Sequence, residues 1–445
     1  MKKLFILLFI CSHSVFGQKK SDQAEILKGY WEGAFIRENA FQKIDIEFSE
    51  KNGEIYALQI MDEWHPTYGE FEVPVEIDSV GHIKLGTGYG DAILSLDPNN
   101  LELLGQINED KSTIKIHLKK SPDRPRADFS IEEISFNSSD VALSGHLHLP
   151  FHNPTKTAVI LVGGRGCYAD QTKYNLYAKF FREYGIATLA YQKRGTGNST
   201  GSCDLATIED LGRDAASAKA YLEARAEGFE KIGVLGISAG GWVMTKAEEF
   251  TNFDFMISVV GPSTSVREQQ LQSASYGSDI FGLSTEAKSN LLLYTEMVFD
   301  SEESESSFES MNTMLKSAED QGWIDLLEDT DKAGSVEEIK NLWVRRHGFD
   351  PKTTLENFDR PFLAIYGEKD WIVPPKENID LLEEYFKDRP DLLTTVKAFG
   401  ADHGMEMESE MVQLQGGQSY WHFYRASPEV RIEIVDFLRR YSFVE

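Results

Sequence analysis

Five continuous apolar runs mark the second part of this chain: A-V-I-L-V (158–162), I-A-T-L-A-Y (186–191), I-G-V-L-G-I (232–237), F-M-I-S-V-V (255–260) and P-F-L-A-I-Y (361–366). A strand with one face in water alternates polar and apolar residues, and these runs do not, so both faces must be covered. Amphipathic stretches near 172–184, 208–227 and 239–250 separate several of them. Buried strands alternating with helices dictate a wound, largely parallel α/β sheet with crossovers on both faces. Just upstream, F-S-I-E-E-I-S-F (129–136) and V-A-L-S-G-H-L-H-L-P (141–150) read as a two-stranded hairpin.

The first part of the chain follows a different rule. K-I-D-I-E-F (43–48), E-I-Y-A-L-Q-I (54–60), F-E-V-P-V-E-I (71–77) and T-I-K-I-H-L-K (113–119) alternate with period two, and Gly53, Gly81 and Gly105 punctuate them. That pattern predicts an antiparallel β domain, barrel or sandwich, over 18–125, ending in the linker S-P-D-R-P-R. The α/β domain then occupies 126–445. Between about 262 and 350 its strands stop, and a polar, acidic, helical stretch intervenes. It reads as a cap over the sheet's carboxyl edge.

The first residues, M-K-K-L-F-I-L-L-F-I-C-S-H-S-V-F-G, have two lysines, a short apolar run and a small-residue end, which reads as a signal peptide cleaved after Gly17. The expected location is therefore the periplasm or the cell exterior. Cys11 offers a lipid-anchor alternative, against which Ile10 stands where a small residue is wanted. The net charge of -27 disfavours nucleic acid and anionic membranes as partners. No later run is long enough to span a bilayer.

One motif carries chemistry. In V-L-G-I-S-A-G-G-W (234–242), Ser238 stands between Gly236 and Gly240, with a strand before and a helix after. This is the pattern of a nucleophile elbow, whose sharp turn tolerates almost no side chain at the flanking positions. A serine hydroxyl needs a base, and the base needs an orienting acid. Asp370 follows the strand P-F-L-A-I-Y in G-E-K-D-W, with Glu368 as runner-up. His403 follows the strand T-T-V-K-A-F in G-A-D-H-G. The order Ser, Asp, His suits parallel strands whose ends open on one edge. His347 precedes Asp370 in the cap and His422 follows no strand, so both compete poorly. His146 and His148 share a strand face as a pair of metal ligands could, without a third ligand in view.

The oxyanion of an acyl-transfer intermediate needs two donors. Ala239 N–H is one. The other is expected in V-G-G-R-G (162–166), from Arg165 N–H with Gly164 as fallback. The Arg165 side chain is also a candidate for an anionic substrate group. Cys167 and Cys203 fall on loops after adjacent strands, and an exported chain with two remaining cysteines is expected to pair them.

These residues resemble an α/β-hydrolase, most like the serine-hydrolase branch that includes secreted bacterial esterases and serine aminopeptidase-like enzymes. The resemblance covers about 129–445 and rests on V-G-G-R-G, Y-Q-K-R-G-T-G-N-S-T-G, G-I-S-A-G-G-W, G-P-S, G-E-K-D-W-I-V-P-P and D-H-G. Relatives often have H-S-E-G-G at the elbow and Asp where Gln192 stands; here Ile237 and Ala239 flank Ser238. Gly164, Gln192 and Ile237 are accordingly expected in the substrate pocket wall. The resemblance implies hydrolysis of a small carboxylic ester, or of a short peptide, with neither metal nor cofactor. An aminopeptidase would need a carboxylate for the substrate ammonium, and the acidic insertion offers many, Glu302, Glu303 and Asp331 among them. A third reading gives the β domain, which begins near K-G-Y-W-E-G-A-F, a targeting role through carbohydrate or lipid binding by Trp31, Trp64 and Tyr68.

Overall fold

The computed structural model describes residues 23–37, 40–60, 70–108, 113–122, 129–170, 172–407, 411–413, 419–421 and 425–444. Residues 1–17, expected to be a signal peptide, with Cys11, and also Trp64, Tyr68 and His422, lie outside the described residues. The chain divides into two compact units. One holds the residues up to Ala127 together with Glu408–Arg425; the other holds Asp128–Met407 and Ala426–Glu445. The sequence places the boundary near 125 but does not anticipate that 408–425 groups with the first unit.

The first unit is a closed eight-stranded antiparallel barrel. Its strands are β1 (Gly29–Arg37), β2 (Ala40–Lys51), β3 (Glu54–Ile60), β4 (Glu70–Ile77), β5 (Ile83–Thr87), β6 (Gly90–Asp97), β7 (Glu102–Asn108) and β8 (Thr113–Lys120). Each pairs with the next, and β1 closes on β8 in the register Trp31↔Lys120. Closure removes both sheet edges, which answers the barrel-or-sandwich question. Gly33 permits the closure, because a Cβ there would lie 2.0 Å from the His117 carbonyl oxygen. The period-two residues fill the interior, including Phe35, Ile44, Phe48, Leu94 and Leu118. Trp31 belongs to this core: it is fully buried, its indole N–H donates to Leu27 O at 2.7 Å, and the Lys120 ammonium lies over its ring. It is therefore not an exposed binding aromatic, a correction that follows from its inward position on β1.

The second unit is built on an eight-stranded sheet. In chain order its elements are β9 (Phe129–Ser138), β10 (Val141–Pro150), β11 (Thr157–Val162), α1 (Leu176–Glu183), β12 (Ala187–Tyr191), α2 (Ile208–Glu223), β13 (Lys231–Ile237), α3 (Gly240–Glu248) and β14 (Met256–Val259). A helical insertion follows: α4 (Val266–Ile280), α5 (Thr285–Asp300), α6 (Glu305–Gln321), α7 (Trp343–Arg346) and α8 (Lys352–Asn357). Then come β15 (Phe362–Gly367), α9 (Pro375–Tyr385), β16 (Leu393–Ala398) and α10 (Pro428–Arg440).

The spatial order is β16-β15-β14-β13-β11-β12-β10-β9. Strands β11 to β16 run parallel, and the β9–β10 hairpin joins antiparallel to them. This is the α/β-hydrolase fold. One sheet face packs on α1 and α10 through Tyr177, Phe180, Phe181 and Phe437. The other packs on α2, α3, α9 and the insertion. The chain steps from β11 outward to β12 and then back across β11 to β13, so the carboxyl ends of β11 and β13 diverge. Such a switch point opens a crevice.

The insertion is helical because its starts are capped. Ser265, Ser284 and Ser304 each accept a hydrogen bond from the third helical N–H, satisfying an otherwise orphaned donor. The acidic run S-E-E-S-E-S-S thus straddles the α6 N-terminus, where negative charge is favoured. Buried Tyr294 and Trp323, with ring centroids 5.7 Å apart, anchor its core. Among the described residues no helix is long and apolar enough to cross a membrane.

Candidate active site

At the β13–α3 turn, Ser238 has φ of +52°, in the left-handed region that non-glycine residues rarely occupy. The turn is held: Ser238 N–H donates to Val259 O at 2.9 Å, and Gly241 N–H donates to Ser238 O at 2.8 Å. Both flanking glycines are required by contact. A Cβ at Gly236 would lie 2.4 Å from Gly240 O, and one at Gly240 would lie 2.4 Å from Val162 O. A residue held in such backbone over-determination exposes its side chain in one direction.

That direction leads to His403. Its Nε2 is 2.9 Å from Ser238 Oγ, and its Nδ1 is 2.8 Å from Asp370 Oδ2. An ionised carboxylate only accepts, so Nδ1 carries the hydrogen and Nε2 accepts from the serine hydroxyl. Asp370 follows β15 and is buried; its other oxygen accepts from Ile372 N–H and Val373 N–H at 2.9 and 2.8 Å. Glu368 points elsewhere, accepting from Gly400 N–H at 2.9 Å. The loop that presents His403 is closed by Asp402, whose Oδ1 accepts from Gly404 N–H and Glu406 N–H.

Across the crevice, the loop after β11 lies against the serine. A Cβ at Gly164 would be 3.2 Å from Ser238 Cβ and 3.7 Å from its Oγ. Ala239 is the N-cap of α3, so its N–H belongs to the helix end that has no intrahelical acceptors. A cleft opens beside these residues, lined by Ile208, Leu211, Trp242, Val243 and Trp343 among others. The Cys167–Cys203 disulfide is present at its edge and ties the β11 loop to the β12 loop.

The Arg165 side chain turns to the helical insertion. Its guanidinium lies over the Trp343 ring at 4.2 Å, donates to Thr330, and pairs with the buried Asp331 at 2.8 Å. Asp331 is thereby committed and does not offer a free carboxylate for an ammonium. Glu302 and Glu303 are exposed, and Glu303 faces Lys340 at 3.5 Å.

Gln192 and Ile237, expected in the pocket wall, make the following contacts. Gln192 turns its amide to the backbone of Asp170, accepting from its N–H at 2.8 Å and donating to its carbonyl at 2.7 Å. It braces the β11 loop. Ile237, half-buried, packs against the apolar cluster on the α1 and α10 face. His347 lines the cleft instead, stacked 4.3 Å from Trp343; burial, reinforced by Arg346, Arg165 and Lys193, pulls its pKa down to about 4. His146 and His148 both turn to Thr172, at 2.8 Å each, and burial next to Arg182 pulls His148 down to about 3. Among the described residues no cluster of three or more His, Cys, Asp or Glu could hold a metal ion.

Sequence reasoning also passed over the K-R of Y-Q-K-R-G. Arg194 makes a bidentate pair with buried Asp214 on α2, Nε–Oδ2 2.8 Å and Nη2–Oδ1 2.7 Å. Lys193 reaches the β11 loop, donating to Gly164 O and to Gly166 O, the latter at 2.9 Å. Two basic residues directly after a buried strand were the available signal.

No protein-family model matches the sequence, and comparison with curated proteins matches none. Among solved structures the chain is similar to the Pyrococcus furiosus esterase Pf2001, at 16% identity and a TM-score of 0.45, over 72% of this chain and 97% of that one. It is similar to a thermophilic esterase from Thermogutta terrifontis at 17% identity and a TM-score of 0.38, covering 69% and 98%. It is similar to XC6422 of Xanthomonas campestris, an α/β serine hydrolase without lid, at 14% identity and a TM-score of 0.37, covering 72% and 98%. At these TM-scores the likenesses carry no argument about a substrate.

Proposed function

We propose that the protein is a serine hydrolase that cleaves carboxylic esters through an acyl-enzyme on Ser238. The observation that carries the reading is the continuous Ser238–His403–Asp370 hydrogen-bond chain, 2.9 and 2.8 Å, starting from a serine held at φ +52°. His403 takes the serine proton as Oγ attacks the acyl carbon. Asp370 keeps the imidazole in the required tautomer and stabilises its cation. The N–H groups of Ala239 and Arg165 receive the oxyanion, with Gly164 N–H as the alternative second donor. His403 then protonates the alcohol, and afterwards activates the water that releases the acid. These steps use side chains and backbone alone.

Esters are favoured over aminoacyl peptides because the buried Asp331 is spent on Arg165. The apolar cleft beside the oxyanion loop suits a small acyl or aryl group. Export is part of the same reading: the leader-like first 17 residues and the disulfide support an oxidising compartment.

Turnover of p-nitrophenyl acetate and butyrate, set against aminoacyl p-nitroanilides, tests the assignment. Wild type is expected to cleave the esters preferentially, with Ser238→Ala and His403→Ala at least about 10³-fold slower. Ester turnover undiminished in folded Ser238→Ala would overturn it.

A further inference from the structure

The serine-hydrolase reading leaves one requirement unassigned. Its second oxyanion donor sits in V-G-G-R-G, where glycine-rich backbone can rotate a peptide plane at little cost. Something must hold that plane. We propose that Lys193 is the positioning residue that aims the oxyanion-hole peptide between Gly164 and Arg165, by holding the carbonyl of that peptide from the opposite side.

The geometry is simple. Lys193 stands two residues beyond β12, on the strand next to β11. Its ammonium donates to the Gly164 carbonyl and, at 2.9 Å, to the Gly166 carbonyl. No peptide bond among the described residues is cis. In a trans peptide C=O and N–H point in opposite directions. A Gly164 carbonyl held by Lys193 therefore turns Arg165 N–H away from Lys193. Gly164 itself presents its Cα to Ser238, with the built Cβ 3.2 Å from Ser238 Cβ. The same ammonium fixes a second plane through Gly166 O, so the loop is clamped on both sides of Arg165.

Lysine suits the task. Its three hydrogens reach two carbonyls at once, and bonds from an ionised donor are the stronger kind. Burial lowers its pKa from the ordinary lysine range, while the charge of Asp170 opposes that shift. Among the groups packed around the ammonium, Tyr168 presents its ring at 5.7 Å, and Gln192 and the Cys167–Cys203 disulfide brace the same loop by other routes. Lys193 also lines the cleft, and its hydrogen bonds go to the loop carbonyls and not to the triad, so an effect on substrate binding shows in KM and an effect through the oxyanion shows in kcat.

The test compares wild type with Lys193→Met and Lys193→Gln, each checked for fold by circular dichroism and thermal melting. Three readouts are taken: kcat and KM on a p-nitrophenyl ester, the preference for that ester over its thiono counterpart, and inhibition by phenylboronic acid. Removing an oxyanion donor costs about 10²–10³-fold in kcat, and a misdirected donor approaches the lower figure. Lys193→Met is expected to lose about 10²-fold in kcat with KM within threefold. Its boronic-acid affinity should fall in step with kcat/KM, and its ester-over-thionoester preference should shrink. A merely structural role would raise KM or lower the melting point without moving that preference. Lys193→Gln, shorter but still a donor, is read where Lys193→Met loses its fold. An active wild type whose folded variants keep kcat within threefold and keep the thiono preference overturns the inference and leaves the hydrolase reading standing. A folded wild type that turns over no ester overturns both.

Discussion

Removing the Asp331 carboxylate should destabilise the larger unit out of proportion to the atoms lost. In Asp331→Ala the Arg165 guanidinium, with its side chain only 19% exposed, loses its counter-charge. Breaking a buried pair by deleting one partner costs about 3–5 kcal/mol, because the other charge is left desolvated. Arg165 keeps Thr330 and the Trp343 face, and Asp331 keeps its carbonyl bond from Tyr294 at 3.0 Å, so the lower end applies. We expect about 3 kcal/mol, which for a unit of this size lowers the melting temperature by roughly 6–12 °C. The diagnostic variant is the double change Arg165→Met with Asp331→Leu, which buries no charge. It should be more stable than Asp331→Ala by more than about 1 kcal/mol. Scanning calorimetry on wild type, Arg165→Met, Asp331→Leu and the double variant completes the cycle, with Asp331→Ala measured beside them. An Asp331→Ala variant within about 0.5 kcal/mol of wild type, or strictly additive effects, would refute the reasoning.

Three further expectations follow from the same geometry. Replacing Cys167 and Cys203 by serine opens a crosslink spanning 36 residues, which the loop-entropy relation values at about 4 kcal/mol, and the melting temperature under non-reducing conditions measures it. Burial beside Asp402 pushes Glu406 up to about 7 from 4.5, so its neutral form is the one the fold prefers. The stability it contributes is full below about pH 4.5 and lost as pH rises through about 7, so wild type minus Glu406→Gln should decline across that window in melting-temperature profiles; parallel profiles would contradict this. Gly240→Ala forces a Cβ to within 2.4 Å of Val162 O; where an ordinary helix glycine gains up to about 1 kcal/mol on replacement by alanine, this one should lose about 1–3 kcal/mol, read by urea unfolding.

How far the fold was legible depended on which forces act locally. The runs apolar on both faces mark β11 to β15 to within a residue or two, because burial on both sides leaves no other pattern. Four of the eight barrel strands, β2, β3, β4 and β8, are equally plain from their alternation, yet alternation does not say which face is inside. Trp31 was therefore open to a surface reading until its pairing with Lys120 on β8 turned it inward. Ser238, Asp370 and His403 could be singled out because each directly follows a strand, and the fold brings them within hydrogen-bond reach. The contacts of Gln192 and Ile237 were not legible for a related reason. At the end of a strand buried on both faces, sequence position does not reveal side-chain direction, and these two turn to the β11 loop and to the α1 side. The position of Lys193 directly after a buried strand marked it, but its role was not legible, because its partners are carbonyl oxygens of a different loop and every residue has one.

The most direct test of the central claim is mass spectrometry after a fluorophosphonate probe, on native and heat-denatured wild type and on native Ser238→Ala. A nucleophile activated by His403 and Asp370 predicts one stoichiometric adduct on Ser238 in native wild type, and none in the other two samples. An adduct on another residue, or no adduct on a protein shown to be folded, would contradict it.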